Sequence, residues 1–183
     1  MIRTVLLLTL CVASIATATA QASATETGKT VALPGGASSL QENHGDWTVS
    51  CRVAEARKSC MILQALGRSS GETVLSLELV PLSETRAEGI LLSPFGLKLS
   101  DGVKIAVDGK PFDTSLPFMT CVEAGCIVPI TLETDQLGQL KNGKEVLVSA
   151  TNASSGAAVD LKLSLSGFKI AFDRARSLLS ATN

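Results

Sequence analysis

The sequence predicts a mostly-β fold: one antiparallel, sandwich-like domain carrying a short helix and a C-terminal amphipathic helix, stapled by two disulfides. Three observations carry this. Short runs of alternating apolar and polar residues recur along most of the chain, separated by turn signals such as Asp101-Gly102, Asp108-Gly109 and 152–156. Helical periodicity is confined to two places late in the chain. No strand–helix alternation of the kind that builds a parallel sheet is present. With 183 residues there is chain enough for one domain with a proper core, and no internal repeat divides it.

Met1-Ile2-Arg3 opens the chain on a positive charge, 5–16 is apolar, and Ala18-Thr19-Ala20 has the small-x-small form of a cleavage site. Residues 1–20 therefore read as a secretory signal peptide cut after Ala20, with Ala22-Ser23-Ala24 as a second site. The apolar run falls short of the ~20 residues needed to span a bilayer. Leu10 before Cys11 does not suit a lipoprotein signal. Residues 21–43, rich in Ala, Ser, Thr and Gly and holding Pro34-Gly35-Gly36, read as a flexible N-terminal arm. The domain proper is expected over 44–183.

Within it, 47–51 alternates as a strand, and 59–66 reads as its hairpin partner across a charged link. Further strands are expected at 73–80, 89–92 and 103–107. Residues 118–122 and 127–132 flank a Glu123-Ala124-Gly125 turn. Residues 133–141 change period, with Leu137 and Leu140 three apart and Asn142-Gly143 as a stop, so a short helix is expected. Two more strands are expected at 145–150 and 158–165. Phe168, Ala171, Phe172, Ala175 and Leu179 share one face of a terminal helix, which is expected to lie on the sheet.

Removal of the leader takes Cys11 and leaves Cys51, Cys60, Cys121 and Cys126. An even set in an exported chain reads as disulfides. Four cysteines allow three pairings, of which Cys51–Cys60 with Cys121–Cys126 is the simplest. A zinc site of four thiolates would show tighter knuckle spacing.

Composition excludes several functions. Lys and Arg number 16 against 17 Asp and Glu, so no basic excess exists to neutralise phosphates, and nucleic acid is not an expected partner. Aromatics are 3% with no Tyr, too few for a base-stacking surface. The single histidine, His44, stands in the loop entering the first strand, away from any evident nucleophile. Glu72, Glu78, Glu84, Glu88, Glu123 and Glu133 read as solvated strand edges and turns. The Asp-Gly pairs lack the ligand ladder of a calcium loop. No catalytic residue, cofactor or metal is expected. Trp47 reads as core. The polar face of the terminal helix offers Lys169, Arg174 and Arg176 as interaction residues.

Three motifs, taken together, identify a resemblance. They are Trp47-Thr48-Val49-Ser50-Cys51 with Ser59-Cys60, then 118–126 ending in the second cysteine pair, then Gly167-Phe168-Lys169-Ile170-Ala171-Phe172-Asp173. In this order and spacing the chain, from Gly45 to about Arg176, resembles the invasion-associated locus B family of Gram-negative envelope proteins. The resemblance implies an exported, non-enzymatic protein, periplasmic or associated peripherally with the outer membrane, with its cysteines in two local pairs. It implies action by contact with a protein partner, in the envelope or on a host cell, supporting invasion, colonisation and virulence. The alternative it leaves is a periplasmic accessory protein that binds another envelope component in stress tolerance, with no host role. No transmembrane segment is expected after signal cleavage.

Overall fold

Strands that bury only one face need a partner layer, and the chain supplies it with a second sheet and two helices. The computed structural model describes residues 31–181 except 70 and 72, so the expected leader lies outside the described residues. A seven-stranded antiparallel sheet is built from β1 (Ser39–His44), β2 (Trp47–Ala54), β3 (Arg57–Gly67), β4 (Thr73–Pro81) and β5 (Ala87–Ser93), completed by β8 (Thr120–Val122) and β9 (Gly125–Leu132). Its order is β1-β2-β3-β4-β5-β9-β8. The smaller sheet has the order β11-β10-β6-β7, from β6 (Lys104–Val107), β7 (Lys110–Pro111), β10 (Glu145–Thr151) and β11 (Ala158–Ser164). The helices are α1 (Thr134–Asn142) and α2 (Phe168–Ser180).

Alternation sets the inward faces. Trp47, Val49 and Cys51 of β2, Cys60, Ile62 and Gln64 of β3, and Val146 and Val148 of β10 are buried on a two-residue period. All but Gln64 join Phe168, Ala171, Phe172, Ala175 and Leu178 of α2 in one core drawn from both sheets and both helices. The terminal helix therefore does lie on the sheet, over β2 and β3. Glu133 and Gln136 form a reciprocal capping box at the start of α1, which satisfies backbone donors that a helix start leaves open. Asp108 (φ 48°) and Gly109 (φ 80°) make the two-residue hairpin turn between β6 and β7.

Each disulfide joins directly opposed residues of one hairpin: Cys51 with Cys60 across β2–β3, and Cys121 with Cys126 across β8–β9. The simplest of the three pairings is the one found.

The expectation of a flexible arm over 21–43 needs correction for its second half. Leu33 is fully buried, and Ser39–His44 pairs along its whole length with β2. The segment alternates only weakly because β1 is an edge strand whose outward residues Ser39, Gln41 and Asn43 are polar. Asp101-Gly102 likewise ends a short 3-10 turn (Leu99–Asp101) rather than a hairpin.

Candidate interaction surfaces

Among the described residues the chemistry-bearing side chains do not converge. Among the described residues there is no group of three or more His, Cys, Asp or Glu that could hold a metal. His44 Nε2 lies 3.3 Å from Glu42 Oε2, and among the described residues no nucleophile is hydrogen-bonded to its ring. Glu84 pairs with Arg176, and Glu88 and Glu133 both pair with Arg86. These are surface ion pairs, as their positions in the sequence implied; Glu72 lies outside the described residues.

Two of the three cations singled out on α2 are used inside the domain. Arg174 grips Glu42 with both prongs, Nε to Oε2 at 2.7 Å and Nη2 to Oε1 at 2.6 Å, clamping α2 to β1. Arg176 Nη2 donates to Glu84 Oε1 at 3.0 Å. Lys169, largely exposed, faces Asp173 one turn on at 3.4 Å. The hydrogen bonds from Arg174 hold the Glu42 carboxyl at a pKa of about 2, against 4.5 for an unperturbed group. A carboxylate with a lowered folded-state pKa stabilises the fold above its unfolded pKa and stops doing so as pH falls through its folded pKa. Urea unfolding should therefore show stability declining between about pH 4.5 and pH 2, with Glu42→Gln flattening that decline. Because the pair is partly open to solvent, the loss at neutral pH should be about 1 kcal/mol, less than the full shift implies.

Near the same corner the β1–β2 turn and the β11–α2 turn meet backbone to backbone. Asp46 N–H donates to Ser166 O at 3.0 Å, and Trp47 Nε1–H to Ser164 O at 2.9 Å. Trp47 is fully buried and meets the Phe168 ring edge-on at 4.9 Å. This confirms it as core.

The opposite edge of the large sheet is different. All three residues of β8 are exposed, and β8 has no strand on its outer side. Met119 (63% exposed), Val122 (45%) and Phe95 (59%) stand out as large apolar side chains in water. Phe95 shares a shallow depression of about 250 Å³ with Pro94 and with Glu123 and Ala124 of the β8–β9 turn. The signal for this surface was present in residues 118–122: apolar residues at 118, 119 and 122 fall on both faces of a strand, and a strand apolar on both faces at a sheet edge must expose some of them. Cys121 is exposed here, whereas Cys51 and Cys60 are 3% and 0% exposed. Limited reduction of the folded protein, followed by alkylation and peptide mass mapping, should open Cys121–Cys126 first and leave Cys51–Cys60 intact.

Fold and surface together define a class: a small two-sheet β domain stapled within its hairpins, capped by a C-terminal helix, with an exposed apolar edge at β8. The family model described as invasion associated locus B (IalB) protein matches residues 47–176, and the chain belongs to that family. It is 38% identical over 147 residues to an Invasion protein B homologue of Brucella abortus, covering 80% of this chain and 84% of that one. It is 34% identical over 148 residues to Invasion protein B of Bartonella bacilliformis, covering 80% of each. The crystal structure of invasion associated protein B from Bartonella henselae matches with a TM-score of 0.71 at 30% identity, over 76% of this chain and 96% of that one. Among the described residues, no helix is long and apolar enough to cross a membrane.

Proposed function

We propose that this is an exported, non-enzymatic envelope protein that works by contact with another protein, and that the contact supports host-cell invasion; its relatives are named invasion proteins. The observation that carries the reading is the apolar edge at β8. Met119 and Val122 belong to a hairpin pinned by a disulfide, and Phe95, in the segment after β5, shares a depression with the turn of that hairpin, so the partner meets a preorganised surface. Lys169 on α2 and the neighbouring Arg174 and Arg176 serve this reading less well, because both arginines are held by carboxylates of the same chain.

Two measurements test it. Intact cells treated with a membrane-impermeant amine reagent should label the protein above a periplasmic leakage control, through Lys110, Lys144 and Lys169. Labelling no higher than the control would remove direct host contact and leave a periplasmic partner as the better account. Bacteria carrying Met119→Glu with Phe95→Ser should enter host cells less well, while the purified variant melts like the parent because both side chains are already exposed. Unchanged entry would remove the β8 edge from the contact.

A further inference from the structure

A second surface, remote from β8, has the geometry of a slot for a strand. β3 runs to Gly67, but β2 accompanies it only as far as the Thr48–Leu63 pair before the chain turns away at Gly45-Asp46. The Cys51 and Cys60 Cα atoms are 4.1 Å apart, the short spacing of a non-hydrogen-bonded antiparallel pair. Two-residue alternation then turns the N–H and C=O of Ala65 toward the side that β2 has left.

Across the gap runs β11, an edge strand of the smaller sheet. Leu165 N–H donates to Lys144 O at 2.8 Å, so the odd-numbered residues of β11 bond to β10. The backbone of Lys162 consequently faces outward, while the next outward carbonyl, Ser164 O, is taken by Trp47. Between the two edges lies a groove of about 480 Å³, lined by Asp46, Gln64, Ala65, Lys144, Lys162 and Ser164 among others.

Gln64 lines the groove and carries an unsatisfied acceptor. It is 5% exposed, and its Nε2 donates to Asp46 O at 3.1 Å, which fixes the orientation of the amide. Its Oε1 is buried with no hydrogen-bond partner. A buried acceptor without a hydrogen bond is rare in native proteins and destabilising.

We propose that this slot binds an extended peptide segment of a partner protein by strand addition, pairing with the outward backbone of Lys162 and the unpaired groups of Ala65, and donating an N–H to Gln64 Oε1. An extended polypeptide supplies backbone donors and acceptors along both of its sides. A compact small molecule does not, and the open, mixed polar lining is unlike an enclosed apolar ligand site. The inference gives the protein-contact reading a second site and a mode of binding, and it rests on that reading.

The test pans a random linear-peptide display library against the mature protein, then titrates the enriched peptides as synthetic peptides. Saturable binding should shift the indole N–H resonance of Trp47, whose hydrogen bond ends on β11 beside the groove. Alternate N-methylation of the peptide should weaken binding about tenfold or more, as should Lys162→Pro, which removes an outward N–H without breaking a ladder bond. Gln64→Met, which keeps the volume and removes the acceptor, should also weaken it, and serves if the proline variant does not fold. Enrichment of no peptide, or binding indifferent to N-methylation and to both substitutions, would overturn the proposal. Self-association abolished by Lys162→Pro would overturn it in favour of a second copy. Met119→Glu with Phe95→Ser should leave peptide binding unchanged. Were that variant to abolish binding while Gln64→Met does not, the slot falls and contact at β8 stands.

Discussion

Gly167→Ala is expected to be among the most damaging single substitutions in the chain. Gly167 sits at φ +87°, and a Cβ there would lie 1.8 Å from the carbonyl oxygen of His44 and 2.5 Å from its carbonyl carbon. Both are backbone atoms, so no side chain can swing aside. Relief requires the β1–β2 turn and the β11–α2 turn to part, which would break the Asp46–Ser166 bond and loosen Trp47 from Ser164. The left-handed backbone alone costs a non-glycine residue about 1–2 kcal/mol. With the collision added, the loss should exceed about 3 kcal/mol, a large part of a typical domain's stability. Denaturant unfolding would show it as a lowered midpoint or as a chain that does not fold. A midpoint within error of the parent would mean that the two turns are not packed as described.

Trp47→Ala should come close behind. The side chain is fully buried, edge-on to Phe168, with its one polar atom satisfied by Ser164. Truncation removes the largest apolar group on the inward face of β2 and opens a cavity under α2, at a cost of about 3–5 kcal/mol. Trp47→Phe separates the contributions. It retains most of the packing and leaves Ser164 O without its donor, so it should lose about 1–2 kcal/mol. Equal effects of the two substitutions would contradict this division.

Much of the fold was legible in the sequence because its strands bury one face each. Alternation in 47–51, 73–80 and 103–107 located β2, β4 and β6, and the three-residue spacing of Leu137 and Leu140 located α1. Edge elements were harder to read. β1 is stabilised by pairing and by the Arg174–Glu42 clamp, neither of which leaves a local apolar pattern. β7, two exposed residues long, is too short to show any alternation.

The cysteines were legible as pairs, since each staples its own hairpin. The surfaces were less so. A cation on the outer face of a helix reads as available until the structure shows a carboxylate from 132 positions away in its grasp. Gln64 gave no signal at all: a polar residue within an alternating strand becomes notable only when its neighbour strand is seen to end early.

The corner where Trp47, Gly45 and Glu42 meet Ser164, Gly167 and Arg174 also orders events in time. Its hydrogen bonds join residues 117 and 132 positions apart, linking the first strands of the domain to its last helix. The two disulfides bridge only 9 and 5 positions and bring no distant parts of the chain together. A chain lacking residues beyond 167 has no α2 to lie over β2 and β3, where Trp47, Val49 and Ile62 face inward. The core is complete only when the final helix is in place, so the contacts that join the two ends of the domain are long-range ones, of the kind that slow folding.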